Sequence, residues 1–546
     1  MKNEVKMPAK SQATAKEKML RGSAWMTAAS IFSRILGAIY IIPWYAWFGD
    51  QRLQANALYA KGYTVYAVFL MLSTAGIPSA VAKQVAHYNS LNEYEIGRRL
   101  FKKTFIIMLL LGLLMGGILF IAAPILAAGD MRTVPVFRSL AVALVIIPVM
   151  SLTRGFFQGY QDMAPSALSQ LVEQIVRVFY MLITAFVIMK VLNGSYQTGV
   201  VQSTFAAFVG AVGGILTLAY CYWRQKQKFD SLRAGSNNVL VVSDNKLIKE
   251  LLAQSIPFIF IGIATNLYNL VDQYTFPWVM EKVSNYSSSY IDEMYALFAA
   301  NANKLIMIVV SLATALAATT IPLLIESVTK GEKRDAKKQL TDTLELFFFI
   351  MLPSSLGMAA VARPLYVVFY GHSTYGIAVL KIAAYVAIAQ GLLIVLASLL
   401  QGLYENKRAV VYAVWGLLVK MLVQYPLTAK LEAFGPLVAS GIGMCFSAYL
   451  MMRYLHRGYG LSFRRLQKTF NALMILSLLM FIVVGGLNFI FGSLTTSESR
   501  LLAMVELLIT AGIGAYIYIY LTLKTHMADR ILGPRVERLR KILKIR

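Results

Sequence analysis

Long apolar segments recur along the whole chain, and they limit the possible folds more than any other feature of the sequence. Each has 18 or more residues, the length at which an apolar helix can cross a lipid bilayer. Hydrophobic residues make up 58% of the 546 residues and charged residues only 14%, whereas soluble domains have about 25% charged residues. We therefore predict an all-α polytopic membrane protein.

We predict fourteen transmembrane helices, which we call segments 1 to 14. The first segment is too long for the core of a signal peptide and lacks a cleavage site, so it is interpreted as the first span. In chain order the segments cover residues 22–48, 57–82, 104–128, 134–157, 166–190, 197–223, 250–280, 295–326, 342–362, 376–402, 408–429, 435–455, 466–492 and 501–523.

Lysines and arginines indicate the orientation of these segments. The two termini and the connections after even-numbered segments, counted with the adjoining segment ends, hold 38 of the 52 basic residues. Because basic loops stay in the cytoplasm, we predict a multi-pass protein with both termini cytoplasmic. Topology and contact with anionic lipid then explain the net charge of +26, and nucleic acid is not expected as a partner.

Both ends of the chain are basic. The N-terminus, residues 1–21, precedes the first segment. The C-terminal tail, residues 524–546, alternates apolar and basic side chains at nearly helical spacing. We predict that this tail lies on the cytoplasmic leaflet as a basic amphipathic helix; a disordered tail is the alternative.

The chain matches itself at a shift of about 243 residues. "FQGYQDMAPSALSQLVEQIVRVFYML" from Phe157 aligns with "LQGLYENKRAVVYAVWGLLVKMLVQYPL" from Leu400, and "GIPSAVAK" aligns with "TTIPLLIE" within one residue of that shift. Because each copy has six segments, both insert in the same orientation, related by an axis along the membrane normal. We predict two six-helix lobes in a pseudo-twofold relation, plus two C-terminal helices, around a central cavity. The predicted divisions are an N-lobe 22–223, a cytoplasmic linker 224–249, a C-lobe 250–455 and a region 456–523 with segments 13 and 14.

Segment 1 carries an arginine near its centre. A charge inside a membrane helix costs roughly 2.5–3.5 kcal/mol on insertion scales. Ser23, Thr27, Ser30, Arg34 and Gly37 follow helical steps of 4, 3, 4 and 3 residues, so they form one polar stripe turned from lipid. We predict that Arg34 is an anion-binding cation that lines the cavity; an arginine satisfied by a carboxylate or by helix carbonyls is the alternative.

Two lysines occupy matched positions of the repeat. Lys61 in segment 2 aligns with Lys304 in segment 8, and we predict that both line the cavity. Extension of the side chain to the membrane surface is the alternative, and it is stronger for Lys61, which lies nearer the end of its segment.

Three further charges are secondary candidates for substrate contact. Glu173 and Arg177 are four residues apart on segment 5, so a mutual ion pair explains them as well as a substrate does. Lys420 aligns with Arg177, but Gly416 stands where the acid would be. We therefore expect Lys420 to be the freer charge of the two.

Segment 7 carries Asn266, Asn269, Asp272 and Gln273. Oxygen ligands on one helical face, above all those of Asp272 and Asn269, could bind a small cation such as sodium. Hydrogen bonding between helices is the more common role of such residues.

Catalytic chemistry has little support in the sequence. It contains neither a GxxxxGK[ST] phosphate loop nor an HExxH motif. Its two cysteines, Cys221 and Cys445, build no disulfide framework or metal cluster. We predict no enzyme activity, no catalytic residue, no bound metal and no cofactor.

Four stretches carry a family resemblance: "GSAWMTAASIFSRILGAIYIIPW" in segment 1, "TAGIPSAVAKQVAHYN" at the end of segment 2, "RGFFQGYQDMAPSALSQLVEQIVR" and "QGLYENKRAVV". The sequence resembles the lipid-linked oligosaccharide flippases of the MOP exporter superfamily, in the MurJ/YtgP branch close to the SpoVB group. The resemblance covers nearly the whole chain, including segments 13 and 14.

The resemblance implies export of lipid II, the undecaprenyl-linked peptidoglycan precursor, across the bacterial cell membrane by alternating access. In the family, cations in a cleft between the lobes bind the pyrophosphate, and a groove beside segments 13 and 14 admits the lipid tail. Arg34 matches the family's SR-x-LG arginine, and Lys304 in "NANKL" stands where many relatives have arginine. Tyr40 and Leu70 stand where the family has further cations. Anionic lipids and cell-wall synthesis proteins are the other expected partners.

The driving force and the substrate leave alternatives open. An inside-negative potential favours outward movement of an anionic headgroup by about 2.3 kcal/mol per charge per 100 mV; a Na⁺ or H⁺ gradient coupled through Asp272 is the rival. Alternative functions are a flippase for another polyprenyl-linked polysaccharide such as teichoic acid or capsule, a multidrug or cation antiporter of the same superfamily, or a membrane glycosyltransferase that uses Asp162 and Glu405.

Overall fold

A computed structural model describes residues 32–33, 36–37, 39–74, 76–237, 243–494, 499–533, 536 and 540; within these ranges it leaves out the side chains of residues 79, 244–261, 322, 323, 326, 493 and 494. In this part of the chain every regular element is a helix, and there is no strand. The all-α prediction is therefore confirmed.

The chain divides into two compact units, Met1–Ile263 and Ala264–Arg546. The first unit contains α1 Ile41–Trp47, α2 Arg52–Thr74, α3 Ile77–Ser90, α4 Tyr94–Leu126, α5 Thr133–Gly159, α6 Ala164–Phe186, α7 Tyr196–Arg224 and α8 Lys226–Ala234. The division falls within α9, Asp244–Val283. The second unit continues with α10 Ser288–Tyr295, α11 Asn303–Thr329, α12 Lys333–Ala360, α13 Ala362–Tyr370, α14 Thr374–Gly402, α15 Asn406–Leu431, α16 Phe434–Tyr459, α17 Phe463–Leu494, α18 Arg500–Lys524 and α19 Met527–Leu532.

Eleven helices of the described residues are long and apolar enough to cross a membrane. They correspond to predicted segments 3 to 6 and 8 to 14. Segment 1 falls largely outside the described residues, and segment 7 corresponds to α9, whose side chains are described only from Gly262 onward. The chain is thus a multi-pass membrane protein by length and composition of its helices, and the count of fourteen stays a prediction.

The sequence predicted segment 2 as one helix, but the structure divides it into two helices. Helix α2 ends at Thr74 and α3 begins at Ile77. Gly76 lies between them in the left-handed region, with φ 76°. Glycine adopts this conformation without the clash of a Cβ, and Pro78 in the first turn of α3 has no N–H to lose there. The aligned stretch of the second copy has threonines in place of glycine, and α11 runs through it without a break.

Several helices extend beyond the apolar segments that predicted them. α4 begins at Tyr94 and α12 at Lys333, about ten residues before the predicted starts of segments 3 and 9. Each has an acid in its first turn, Glu95 and Asp335, which stabilises the exposed N–H groups of a helix start. Hydropathy detects the membrane-spanning part of such a helix but not its polar extension.

The backbone repeats the turn that follows the fourth predicted helix of each copy. Gln161 and Tyr404, at the same repeat position, both have positive φ values, 58° and 61°. In each turn an amide bonds a carbonyl five residues earlier: Asp162 to Phe157 at 3.1 Å, and Glu405 to Leu400 at 2.8 Å. Positive φ is uncommon outside glycine, so its recurrence supports the internal repeat.

Helix contacts in the first unit depend on small residues. A Cβ added at Gly112 of α4 would lie 2.7 Å from the carbonyl oxygen of Val145 in α5. Such small residues let membrane helices approach closely. The opposite side of α4 exposes large apolar side chains, with Ile121 79% and Ile125 82% exposed, as expected of a helix that contacts lipid.

The described part of the C-terminal tail packs against the protein. Val536 is 1% exposed and joins Leu523 and Ala528 in a small apolar cluster beside Phe349 of α12. An ion pair adds to this contact, with the guanidinium of Arg530 3.0 Å from Glu345 of α12. The described residues of the tail are therefore held by α12, and the predicted contact of the tail with the cytoplasmic leaflet stays a prediction; residues 534, 535, 537–539 and 541–546 lie outside the described chain.

Candidate functional site

Arg34, the first candidate, lies outside the described residues. The polar stripe to which it belongs reaches the described chain at Gly37. A Cβ added at Gly37 would lie 3.7 Å from Nε2 of Gln174 in α6. This position of segment 1 therefore faces protein, and the role of Arg34 stays a prediction.

Lys61 of α2 is held by a carboxylate from a loop. Its side chain is buried, and Nζ lies 2.8 Å from Oδ2 of Asp130, between α4 and α5. Arg132 also donates to Asp130, at 2.7 and 3.0 Å. Burial opposes ionisation of Asp130, but the hydrogen bonds from Arg132 and the charge of Lys61 outweigh it and hold the pKa of Asp130 below its usual range. Lys61 thus does not extend to the surface, and this contact competes with a role in the cavity.

Lys304 follows an irregular turn of helix. A π-helical turn, Ala296–Ala302, precedes α11, and Lys304 is the second residue of α11. Such turns are frequent at functional sites. Asn301 in the turn is fully buried; its amide donates to the Tyr366 hydroxyl at 2.8 Å, and its carbonyl accepts from the Tyr370 hydroxyl at 3.3 Å. These bonds fix the backbone that precedes Lys304, which is itself partly exposed.

Glu173 pairs with Arg154 of α5, so the predicted alternative of a Glu173–Arg177 pair is wrong. The guanidinium of Arg154 lies 2.7 Å from Oε2 of Glu173 and also donates to Oγ of Ser169 at 2.9 Å. Arg154 reaches Glu173 from the neighbouring helix. Arg177 instead donates to the hydroxyl of Tyr63 in α2.

Lys420 of α15 is the more restrained charge of the repeat pair, contrary to the sequence prediction. It is fully buried, and its Nζ lies 2.8 Å from Oδ1 of Asp272, 2.7 Å from the carbonyl of Tyr268 and 2.8 Å from Oγ of Ser440. The acid that the alignment did not provide comes from α9, not from the helix of Lys420. Sequence spacing along one helix cannot reveal such a partner.

Asp272, the candidate for ion coupling, is therefore occupied by a cation of the chain itself. Its Oδ1 also accepts from Nε2 of Gln424 at 2.8 Å. Asn269, the second candidate, is partly exposed on the same helix. A coupling role for Asp272 requires the ion pair with Lys420 to open.

The two matched acids have structural contacts. Asp162 accepts from Nε2 of Gln225 at 2.8 Å, and Glu405 accepts from the hydroxyl of Tyr459 at 3.0 Å. Each bond ties the repeated turn to the end of a later helix in the same unit. Within the described ranges, no three His, Cys, Asp or Glu side chains are placed to share a metal ion, and both cysteines are unpaired.

An apolar cavity of about 420 Å³ lies between α12, α17 and α18. Its walls include Gly357, Met480, Val484, Gly514 and Tyr518. A Cβ at Gly514 would lie 2.9 Å from Val484, so glycine keeps this wall open. The cavity lies beside α17 and α18, where the family resemblance places a groove for the lipid tail.

The sequence identified the charged candidate residues but not the residues that pair with them. Asp130 and Arg154 come from other helices or loops, and no spacing rule links them to Lys61 or Glu173. The tyrosines of α2 carried a usable signal, because Tyr59, Tyr63 and Tyr66 recur at helical spacing. An aromatic face beside buried charges is unusual for a helix that only contacts lipid.

Long apolar helices, a buried ion pair and an apolar cavity between helices define the class as an integral membrane protein. Among solved structures, the chain is similar to the lipid II flippase MurJ in an inward closed conformation, with 15% identity, a TM-score of 0.63 and coverage of 93% of this chain and 99% of that one. It is also similar to an inward-facing multidrug resistance MATE family transporter of the MOP superfamily, with 14% identity, a TM-score of 0.62 and coverage of 80% and 96%. These similarities show the fold.

Sequence comparisons show the family. The family described as "Polysaccharide biosynthesis protein" matches residues 19–328. Lipid II flippase MurJ of Bacillus subtilis (strain 168) is 34% identical over 536 residues, which cover 95% of this chain and 97% of that protein. Stage V sporulation protein B of the same organism is 25% identical over 215 residues, 39% of this chain and 40% of that protein. The chain belongs to the polysaccharide biosynthesis protein family, in the MurJ branch of the MOP exporter superfamily, as the sequence motifs predicted.

Proposed function

We propose that this protein moves lipid II, the undecaprenyl-linked peptidoglycan precursor, from the inner to the outer leaflet of the bacterial cell membrane by alternating access. The observation that carries this proposal is the 34% identity to the lipid II flippase of Bacillus subtilis over nearly the full length of both chains. The chemistry is consistent, because a pyrophosphate headgroup cannot cross hydrocarbon without a polar path that offers cations.

The apolar cavity between α12, α17 and α18 suits the polyprenyl tail. Its walls are mostly aliphatic, with hydroxyl groups from Ser354 and Thr510, and Tyr518, the one aromatic residue among them, already donates its hydroxyl to the carbonyl of Phe349 at 2.8 Å. No buried polar group of that ring is left to be satisfied by the ligand. We infer that the tail stays in this apolar region while the headgroup moves through a polar one.

Two cations are proposed to bind the pyrophosphate, Arg34 and Lys304. Arg34 matches the arginine of the family's SR-x-LG motif. Lys304 follows the π-helical turn at a partly exposed position. Lys61 is the weaker candidate, because its ammonium is buried against Asp130. Its release from Asp130 would cost part of the binding energy that a phosphate contact supplies.

The membrane potential is the proposed driving force. Asp272, the acid suited to ion coupling, already holds the ammonium of Lys420, so a Na⁺ ion would have to displace a buried cation. The headgroup is anionic, and an inside-negative potential assists its outward movement. Transport that requires Na⁺ but continues after the potential is collapsed would contradict this part of the proposal.

We also propose on which side of the membrane the termini lie and which partners the protein contacts. Both termini lie in the cytoplasm, as the distribution of basic residues favours. Anionic lipids contact the basic connections, and proteins of cell-wall synthesis are proposed to receive the exported precursor.

Depletion and rescue in living cells test the proposed function. When this protein is the sole flippase of the cell, its depletion is expected to cause lipid II to accumulate in the inner leaflet and to lose accessibility to an externally added lipid II-binding reagent. Re-expression is expected to restore that accessibility. Normal lipid II exposure together with loss of another surface polymer would overturn the assignment of lipid II as the substrate.

A further inference from the structure

Arg177 of α6 lies in a cluster of four tyrosines, which we call the tyrosine cluster: Tyr40, Tyr59, Tyr63 and Tyr66. Its guanidinium donates to the hydroxyl of Tyr63, and its Cζ lies 5.3 Å from the centre of that ring. Tyr63 stacks on Tyr59 with ring centres 4.5 Å apart and meets Tyr66 edge-on at 5.6 Å. Tyr40 lies beside Tyr59, and all four phenols lie within electrostatic range of Arg177.

The positive charge of Arg177 is not neutralised by a carboxylate of the described chain. The nearest acid along its own helix is Glu173, and that carboxylate binds Arg154 at 2.7 Å. Tyrosine rings and hydroxyls offset part of the cost of placing this charge among apolar helices, because the face of an aromatic ring attracts a cation. They are neutral, however, so the cluster keeps a full positive charge.

The internal repeat offers a comparison within the same molecule. Lys420 occupies the matched position of the second copy, and there the cation is fully buried and paired with Asp272. The cation of the second copy is therefore held in an internal ion pair, whereas Arg177 of the first copy pairs with no acid among the described residues.

A ligand can reach part of the cluster. Arg177, Tyr63 and Tyr40 are partly exposed, while Tyr59 and Tyr66 are buried behind them. The backbone that carries Arg177 is fixed, because a Cβ at Gly210 of α7 would lie 2.8 Å from the Cβ of Arg177. Contacts within the described residues engage one of the three guanidinium nitrogens.

We propose that Arg177 and the tyrosine cluster bind the phosphorylated sugar of the lipid-linked substrate. Arginine forms paired hydrogen bonds to phosphate oxygens, and the exposed faces and hydroxyls of Tyr63 and Tyr40 contact the adjoining sugar ring. This inference rests on the proposed function and deepens it, because it assigns a headgroup subsite to α6 and α2 of the first unit.

Binding by the purified full-length protein in lipid nanodiscs tests the subsite. Lipid II is the ligand, and undecaprenyl phosphate, which has one phosphate and no sugar, is the reference. Arg177→Gln is expected to weaken lipid II binding by at least about tenfold, as for the loss of a hydrogen-bonded charge. Arg177→Lys should fall between the wild type and Arg177→Gln. Lys190→Gln, which removes an exposed cation in the π-helical turn that follows α6, is the charge-matched control and should bind like the wild type.

The outcomes separate the two levels of the proposal. If the wild type binds lipid II no better than undecaprenyl phosphate, the proposed function fails. If the wild type binds lipid II selectively and a folded Arg177→Gln binds it equally well, the subsite fails alone. If Arg177→Gln does not fold, Tyr63→Phe and Tyr40→Phe decide: each is expected to weaken lipid II binding two- to fivefold at an unchanged unfolding temperature without ligand, and wild-type binding in both would overturn the subsite.

Discussion

Replacement of Lys420 by methionine should destabilise the second unit more than any other single loss of a lysine charge in it. The side chain is fully buried, and its ammonium joins three helices through Asp272 and Tyr268 of α9 and Ser440 of α16. Methionine retains much of the volume but leaves the carboxylate of Asp272 with a single described donor, Gln424 at 2.8 Å. Removal of one partner from a buried ion pair costs about 3–5 kcal/mol.

The matched substitutions separate the charge from the packing. Asp272→Asn leaves Lys420 two neutral acceptors and should cost less, about 1.5–3 kcal/mol, the range for a hydrogen bond to a charged group. The double variant removes both charges, so its cost should fall below the sum of the single costs by about 1 kcal/mol or more. Lys381→Met, which removes an exposed lysine of α14, serves as the control and should change stability by less than about 0.5 kcal/mol.

Unfolding of the purified variants in one detergent, followed by tryptophan fluorescence, measures these differences. The reasoning predicts the order Lys420→Met, then Asp272→Asn, then the control, with partial recovery in the double variant. Strict additivity of the two single losses, or a Lys420→Met protein as stable as the wild type, would refute the buried ion pair as a source of stability.

Four further predictions concern substitutions of individual residues. Arg34→Ala should abolish complementation at normal membrane levels, with part of the activity kept in Arg34→Lys; full activity of Arg34→Ala in a growth assay would leave only a structural role. Lys304→Ala should impair lipid II export more than Lys61→Ala, because Lys61 is engaged by Asp130, and equal tolerance in the export assay would contradict the cavity role of Lys304. Since the pKa of Asp130 is held low in the folded protein, its stabilising effect is present above the unfolded value near 3.8 and is lost as the pH falls through the lower folded value; Asp130→Asn should flatten the loss of stability as the pH falls below 3.8, and an unchanged slope would argue against it. Glu345→Gln should loosen the C-terminal tail, measured as faster hydrogen exchange in residues 527–533, and unchanged exchange would argue against the contact with Arg530.

The sequence was sufficient for the features that depend on local composition. Apolar length predicted the spanning helices of segments 3 to 6 and 8 to 14, and the repeat predicted two related halves, visible in the matched φ values of Gln161 and Tyr404. It did not locate the break at Gly76, because hydropathy continues across it. The sequence also placed the starts of α4 and α12 too late, because a hydropathy scale does not distinguish a polar first turn of a helix from a loop.

The site was less predictable, for a physical reason. A charged residue inside an apolar segment is easy to recognise in the sequence, and its high free-energy cost in a membrane makes it a functional candidate. For this reason the sequence analysis identified as candidates Lys61, Glu173, Arg177, Asp272 and Lys420. What offsets that cost lies on other helices, and pairing across helices leaves no fixed spacing in the chain. The predicted Glu173–Arg177 pair failed for this reason, and so did the expectation of an unrestrained Lys420.

Transport of lipid II by the purified protein tests the central claim most directly. The wild type would be reconstituted into vesicles with labelled lipid II in both leaflets, under an imposed potential, with Arg34→Ala vesicles as the matched control. We predict that the wild type makes lipid II of the inner leaflet accessible to an external quencher well above the rate in the control vesicles, and faster when the potential favours outward movement of the anionic headgroup. Equal rates in wild-type, Arg34→Ala and protein-free vesicles, with the wild type shown to be folded, would contradict the account.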